Sequence, residues 1–254
     1  MERVTLDDHR LAPFTGMYAA DERGDDLCII ESRLAVESLI DSPYEAVSLL
    51  VAERLVDSLA PLIDAFPGLV LVASQDVINA TVGFNMHRGV AACARRGAAR
   101  TVADVVATSS RLVVTEGVSD PENLGALFRN AAAFGVDGML LDPTTCDALS
   151  RRTIRVSLGH ALRVRFARAS LTDIVDGLDG VTTIALTPNA TTALRDVNAD
   201  RTALLVGNEG NGLTEAAMAM ADVRAAIPMA KGVDSLNVAT AAAVALAMLA
   251  QVTE

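Results

Sequence analysis

A short apolar run that ends in three closely spaced glycines constrains this chain most. Ala203 to Val206 reads as a buried strand. Gly207, Asn208, Glu209, Gly210, Asn211 and Gly212 follow it. Thr214 and Glu215 then open an alanine-rich run that reads as a helix with a capping threonine. Glycine at a strand end lets the backbone approach a ligand and adopt positive φ. A plain turn explains one or two glycines. Three, with an amide and a carboxylate among them, point to a binding loop. Their spacing is not the G-x-G-x-x-G dinucleotide fingerprint, and no Gly-Lys-Ser/Thr follows to cradle phosphate.

The rest of the chain alternates between strand and helix patterns. Leu27–Ile30, Ala46–Val51, Leu69–Ala73 and Val90–Cys93 read as strands, with helices from Glu31–Ser32, over Glu53–Ala65 and after the cap Ser74–Gln75–Asp76. Residues 1–26 read as a mostly irregular arm, and Ala94–Ala107 as a linker. Arg111–Val114, Val136–Leu141 and Thr183–Leu186 are further strands, with a helix over Leu124–Phe134 and a last helix from Val238. This alternation predicts an α/β fold with a parallel sheet, preceded by a small α/β module. The division falls at 105/106: residues 1–105 and residues 106–254.

Half of the residues are hydrophobic, so a sizeable core is available. Cys28, Cys93 and Cys146 are too scattered for a metal cluster or a disulfide framework, which fits a reducing, cytoplasmic setting. No metal site is expected. The N-terminus is too charged for a signal peptide. The apolar run Val238 to Val252 is short beside the roughly 20 residues of a membrane span, so no membrane association is expected. The net charge of −11 opposes nonspecific nucleic-acid binding. The uneven distribution of that charge weakens the opposition. Ala148–Thr172 holds no acid and six arginines: Arg151, Arg152, Arg155, Arg163, Arg165 and Arg168. Val77–Ala103 holds no acid and Arg88, Arg95, Arg96 and Arg100. Two such windows can form a local phosphate-binding face, or merely solvated helix surfaces.

Two further stretches accompany the glycine loop. One is Asn123–Leu124–Gly125–Ala126–Leu127–Phe128–Arg129–Asn130–Ala131 with Phe134–Gly135; the other runs from Ile227–Pro228–Met229 through Ser235–Leu236–Asn237 to Ala241. In order with the loop, they resemble the three motifs of the TrmH/SpoU family, the RNA ribose 2′-O-methyltransferases of the SPOUT superfamily. The resemblance covers residues 110–254 strongly and the first hundred weakly. It implies a catalytic domain over 106–254 whose C-terminal segment, Leu186 through Val244, threads a deep trefoil knot. It also implies a homodimer. Residues 1–105 resemble the ribosomal-protein-L30e-like substrate domain of many relatives. Family members usually read Glu-Gly where this chain has Glu31–Ser32. His87–Arg88–Gly89 keeps the usual approach to the last strand, where His87 reads as a surface or structural histidine in preference to an RNA contact.

The resemblance implies S-adenosyl-L-methionine as cofactor, held around Leu186, Thr187, Gly207, Asn208, Ile227, Met229 and Leu236. Taken alone, Ile227 and Leu236 read as core. Arg129, Asn123, Glu209, Ser235 and Asn237 are the catalytic candidates. Arginine inside an apolar helix is costly unless paired, so Arg129 is ion-paired or functional. Arginine stays charged below about pH 12, which favours clamping phosphate and orienting the hydroxyl over acting as base. Asn123 reads as a helix cap, Glu209 as partner to Arg129 or Asn123 or as a loop tie, and Ser235 as a second cap. Lys231 is placed to reach phosphate. Arg88, Arg95, Arg96, Arg151, Arg152 and Arg155 are the RNA-binding candidates. The expected activity is methylation of a ribose 2′-hydroxyl in structured RNA, with rRNA favoured over tRNA. The alternatives are a tRNA enzyme and a non-catalytic RNA- or ribosome-binding assembly protein. An ordinary Rossmann oxidoreductase is disfavoured by the glycine spacing.

Overall fold

A computed structural model describes residues 1–17, 26–230, 232 and 235–249. Lys231, Val233 and Asp234 of the third motif lie outside them. The chain forms two compact units: Met1–Ala98 with Ala148–Arg163, and Ala99–Asp147 with Val164–Glu254. The first unit thus takes in a segment from the middle of the sequence, which a single boundary at 105/106 does not describe.

In the first unit, β1 (Glu2–Arg3), β2 (Leu27–Glu31), β3 (Ala46–Ala52), β4 (Leu69–Ala73) and β5 (Val90–Arg95) form a mixed sheet in the order β1-β4-β3-β5-β2. β3 runs parallel to β4 and antiparallel to β5. The central strands are continuous apolar runs because both faces are covered, by α1 (Arg33–Ile40), α2 (Ala60–Ala65), α3 (Gln75–Val82) and a 3-10 turn over His9–Phe14. The arm is therefore less irregular than expected. Leu11, Phe14 and Met17 are almost fully buried in the core beside Leu50 and Leu71. Glu53–Ala65 is not one helix. A 3-10 turn covers Glu53–Leu55 and α2 starts only at Ala60, because Pro61 has no N–H for the carbonyl four residues back. Ser74 caps α3, accepting from the Val77 amide at 3.3 Å.

The second unit contains α4 (Val102–Val106), β6 (Arg111–Thr115), α5 (Pro121–Ala133), β7 (Gly138–Leu141), β8 (Arg165–Arg168), α7 (Leu171–Asp176), β9 (Thr182–Leu186), β10 (Thr192–Ala193), β11 (Thr202–Val206), α8 (Glu215–Met220), β12 (Val223–Ala226) and α9 (Val238–Leu249). The intervening α6 (Arg151–Val156) belongs to the first unit. Seven strands lie in the order β10-β12-β9-β11-β6-β7-β8, and every pairing is parallel. The chain leaves β6 toward β7 and β8 on one side and returns to β9, β11 and β12 on the other. Parallel α/β sheets bind ligands beyond the carboxyl ends of the strands, near such a reversal.

Three expectations change here. The supposed linker holds α4, fixed by a capping box in which the Asp104 amide donates to Thr101 Oγ1 and the Thr101 amide to Asp104. α5 starts at Pro121, capped by Asp120, rather than at Leu124. β8 lies inside the arginine-rich window. On α5, Leu124, Gly125, Leu127, Phe128 and Ala131 form the buried stripe. Small residues Ala239, Ala242 and Ala245 on α9 let the two helices approach, and Asn130 donates to the Ala239 carbonyl at 2.8 Å.

Candidate active site

The loops after β9, β11 and β12 enclose a cavity of about 560 Å³, a size usual for small-molecule sites. Leu186, Thr187, Gly207, Asn208, Ile227, Met229 and Leu236 all line it. Ile227 and Leu236 are therefore not plain core: Ile227 is half-buried and Leu236 is 39% exposed. The walls combine aliphatic side chains with loop backbone, which suits a flat heterocycle that needs main-chain donors and acceptors. Glu209, Glu215 and Asn189 add polar groups at its edge.

The loop's geometry explains its glycines. Asn208 and Gly212 exchange two backbone hydrogen bonds, at 3.1 and 2.9 Å, so the loop folds back on itself. A Cβ on Gly207 would lie 2.2 Å from the Gly212 carbonyl carbon. Gly212 has φ +69°. The close approach at Gly207 is thus to the loop's own backbone. Asn208 holds the turn: its Oδ1 accepts from the Gly210 and Asn211 amides at 2.8 and 3.2 Å, and its Nδ2 donates to the Gly117 carbonyl at 2.8 Å.

Asn123, Glu209 and Asn237 meet at one edge. Asn123 Nδ2 donates to Glu209 Oε1 at 2.8 Å, and Asn237 Nδ2 donates to Asn123 Oδ1 at 2.8 Å. Glu209 is thus Asn123's partner, one of the roles expected for it. Asn123 is not the cap of α5, which is Asp120. The amides of Ala239 and Thr240 donate to Asn237 Oδ1, at 3.0 and 3.2 Å, so Asn237 takes the capping role expected of Ser235. Ser235 lines the cavity.

Arg129 corrects an expectation. It is exposed on the polar side of α5, so no desolvation cost marks it. Among the described residues no hydrogen bond or ion pair holds it, and it does not line the cavity. Its guanidinium is available to an external anion.

The RNA-binding candidates all fall in the first unit. Arg88, Arg95 and Arg152 are exposed, and Arg96 and Arg155 are half-buried. Arg95 pairs with Glu45 at 3.4 Å, and Arg96 donates to the Leu27 carbonyl at 3.1 Å. Arg151 does not fit the role. It is buried, donates to Glu31 at 2.6 Å and lies over the Phe84 ring. Two other arginines of the same window hold neighbouring segments: Arg165 donates to the hydroxyl and carbonyl of Thr108, and Arg168 to the carbonyls of Asp142, Thr145 and Cys146.

Sequence reasoning passed over Glu116 and Asp142. Both Glu116 oxygens bind Thr214. Buried Asp142 accepts from the Gly117 amide at 2.9 Å and from Thr144 and Thr145. Burial alone raises its pKa, but these hydrogen bonds outweigh burial and hold it below the usual value. Burial pushes the Cys146 thiol up to about 11, which keeps it protonated and unreactive at neutral pH.

A parallel α/β unit with a cavity and polar edge beyond its strand ends is the architecture of a protein that binds a small molecule, and the comparisons with known proteins narrow it. Residues 110–247 match the SpoU rRNA Methylase family. The chain is 42% identical to an uncharacterized tRNA/rRNA methyltransferase of Mycobacterium tuberculosis, across 94% of this chain and 88% of that protein. It superposes with a TM-score of 0.82 on an AdoMet-bound rRNA methyltransferase from Sinorhizobium meliloti, at 25% identity over 97% of this chain and 96% of that one. A solved RNA 2′-O ribose methyltransferase aligns with a TM-score of 0.79 at 26% identity, over 97% of each chain. The chain belongs to the SpoU methylase family of RNA methyltransferases. Its AdoMet-bound structural neighbours support S-adenosyl-L-methionine as cofactor.

Proposed function

We propose that this chain transfers a methyl group from S-adenosyl-L-methionine to a ribose 2′-hydroxyl of structured RNA, with rRNA favoured over tRNA. The observation that carries this reading is the cavity beyond β9, β11 and β12, edged by the Asn237–Asn123–Glu209 network. When bound, the cofactor supplies a methyl group on a positively charged sulfur. The chain's own residues do the rest. Leu186, Ile227, Met229 and Leu236 exclude water from the adenosine slot. The carboxylate of Glu209 fixes Asn123, and Asn123 and Asn237 fix each other, so the site is organised before RNA arrives. Arg129, charged and unpaired among the described residues, clamps a phosphate and turns the target hydroxyl toward the cavity. Arg88, Arg95, Arg96, Arg152 and Arg155 carry the electrostatic attraction that the acidic chain otherwise lacks.

The finer reading includes the TrmH branch of the family, an L30e-like fold for the first unit and a knotted C-terminal segment. It also includes a homodimer and residence in the cytoplasm. Among the described residues no helix is long and apolar enough to cross a membrane. Sedimentation at micromolar concentration tests the dimer, and a monomer removes it.

The deciding experiment transfers labelled methyl from S-adenosyl-L-methionine into size-fractionated RNA from a strain that lacks this gene. Label in large rRNA, resistant to alkaline cleavage at one ribose, is expected. Label in the small fraction moves the substrate to tRNA. No label leaves the non-catalytic RNA-binding protein. Arg129→Ala is expected to cost about a hundredfold in turnover, as losing one charged transition-state contact does, with the melting temperature unchanged. Arg129→Lys separates the two roles of this group, since loss of turnover at unchanged RNA affinity counts against simple clamping.

A further inference from the structure

We infer that Glu116 is a positioning residue for cofactor binding, setting the glycine loop and α8 from the neighbouring strand; this rests on the cofactor reading above. Glu116 stands in the turn after β6, whose strand pairs with β11 from Thr202↔Arg111 to Val206↔Thr115. The Glu116 amide extends that ladder by donating to the Val206 carbonyl at 2.9 Å. Its carboxylate then reaches over the loop that β11 leads into. The Thr214 amide donates to Glu116 Oε2 at 2.8 Å, and the Thr214 hydroxyl donates to Oε1 at 2.7 Å. Among the described residues no cation competes for this carboxylate.

Thr214 works in both directions. With its hydroxyl hydrogen directed at Glu116, its oxygen accepts from the Ala217 amide at 3.1 Å and caps α8. The Glu116–Thr214 pair therefore fixes where α8 begins. α8 carries Glu215 and Met218 into the cavity wall, and the residues just before Thr214 form its floor. The other end of the loop hangs on the same turn, because Asn208 donates to the carbonyl of Gly117. The Gly117 amide is in turn held by buried Asp142. One short turn after β6 thus grips both ends of the loop that rims the cofactor cavity. Without the carboxylate, Thr214 keeps only its cap on α8, and the exit of the loop is held less firmly by the bonds between Asn208 and Gly212 and the burial of Leu213.

Two measurements on the full chain test this. The first is cofactor-independent hydrogen exchange of the amides from Gly210 to Ala217. Glu116→Ala is expected to speed exchange there and leave β11 protected, and unchanged exchange overturns the inference. The second is calorimetric binding and steady-state kinetics with S-adenosyl-L-methionine. Glu116→Ala is expected to weaken binding and raise KM by about tenfold, the scale of one charge-assisted hydrogen bond, with kcat at saturating cofactor within about twofold. Glu116→Gln is expected to recover most of this loss, since its amide oxygen accepts from the Thr214 amide while its NH2 donates to the hydroxyl. The losses in Glu116→Ala and Thr214→Ala are expected not to add. A fall in kcat at unchanged KM, or fully additive losses, overturns the inference. A wild-type chain that binds no S-adenosyl-L-methionine overturns the cofactor reading instead, and the exchange measurement still decides whether Glu116 orders the loop.

Discussion

Two strands end where the backbone asks for glycine, and only one of them receives it. β11 runs into Gly207, which has no positive φ but has no room either, because a Cβ would meet the Gly212 backbone at 2.2 Å. β2 runs into Ser32, which has room for its side chain but holds φ 102° and ψ 151°, a conformation that is nearly glycine-only. At Gly207 the demand comes from a neighbour, and at Ser32 from the dihedral itself. The carboxylates beside them differ in the same way. Glu209 and Glu116, near the glycine loop, hold backbone and amides at the protein surface. Glu31, at the end of β2, is buried with Arg151, each side chain 8% exposed, and Arg155 stands 3.9 Å away. The β11 end is built to hold a ligand, and the β2 end to hold a segment that arrives from far along the chain.

The largest expected effect separates these two uses of a carboxylate. Glu31→Ala removes the buried carboxylate that faces the Arg151 guanidinium, and unfolding stability is expected to fall by about 3–5 kcal/mol. A denaturant titration checks it. Glu116→Ala strands no buried charge, so its denaturation midpoint is expected to stay close to wild type. Equal losses in the two variants would break the distinction. Gly207→Ala comes next. The added carbon must push the loop off its own backbone, an overpacking cost of about 1–3 kcal/mol. Calorimetry with S-adenosyl-L-methionine is expected to read this mainly as lost cofactor affinity, because the displaced loop rims the cavity.

A smaller effect concerns acid. Hydrogen bonds hold Asp142 below its usual pKa in the folded chain. A carboxyl depressed in this way contributes stability above its unfolded pKa, about 3.9, and that contribution drains away as pH falls through the folded value. Asp142→Asn removes this contribution, so its stability is expected to fall less steeply than that of wild type below about pH 4. Thermal melts across that range measure it, and parallel acid limbs in the two proteins would show that Asp142 has no part in it.

The same contrast explains which features could be read from the sequence. Strands buried on both faces announce themselves as apolar runs, and Ala46–Ala52, Leu69–Ala73 and Thr202–Val206 appear within a residue or so of their observed limits. The cavity's residues were legible because glycine and motif spacing are local. Glu116 and the buried role of Arg151 were not, because their partners lie 98 and 120 residues away and nothing local marks them; Asp142 has Thr144 and Thr145 beside it, but its hold on the Gly117 amide spans 25 residues. β8 hid inside an arginine window: Arg165 and Arg168 sit on a strand whose Ala167 is buried on one face while half-buried Phe166 meets Phe128 edge-on from the other. Pro61 stands in Glu53–Ala65, but the apolar pattern runs on through it and masks the late start of α2.

Ser32 gives the smallest and sharpest expectation. Its side chain caps α1, accepting from the Ala35 amide at 3.5 Å, which is long for a cap. Replacing a serine cap by glycine costs only a few tenths of a kcal/mol. A residue held in this region of φ and ψ stores roughly 1–3 kcal/mol of strain. Against the strain relieved stands the extra backbone freedom that glycine loses on folding, about 0.5–1 kcal/mol. The balance favours glycine, and Ser32→Gly is expected to stabilise the chain by about 0.5–1 kcal/mol. Ser32→Ala keeps the strain and loses the cap, so it is expected to destabilise. If Ser32→Gly and Ser32→Ala shifted the denaturation midpoint in the same direction, the dihedral would not be the source of the demand, and the β2 end would differ from the β11 end only in what packs around it.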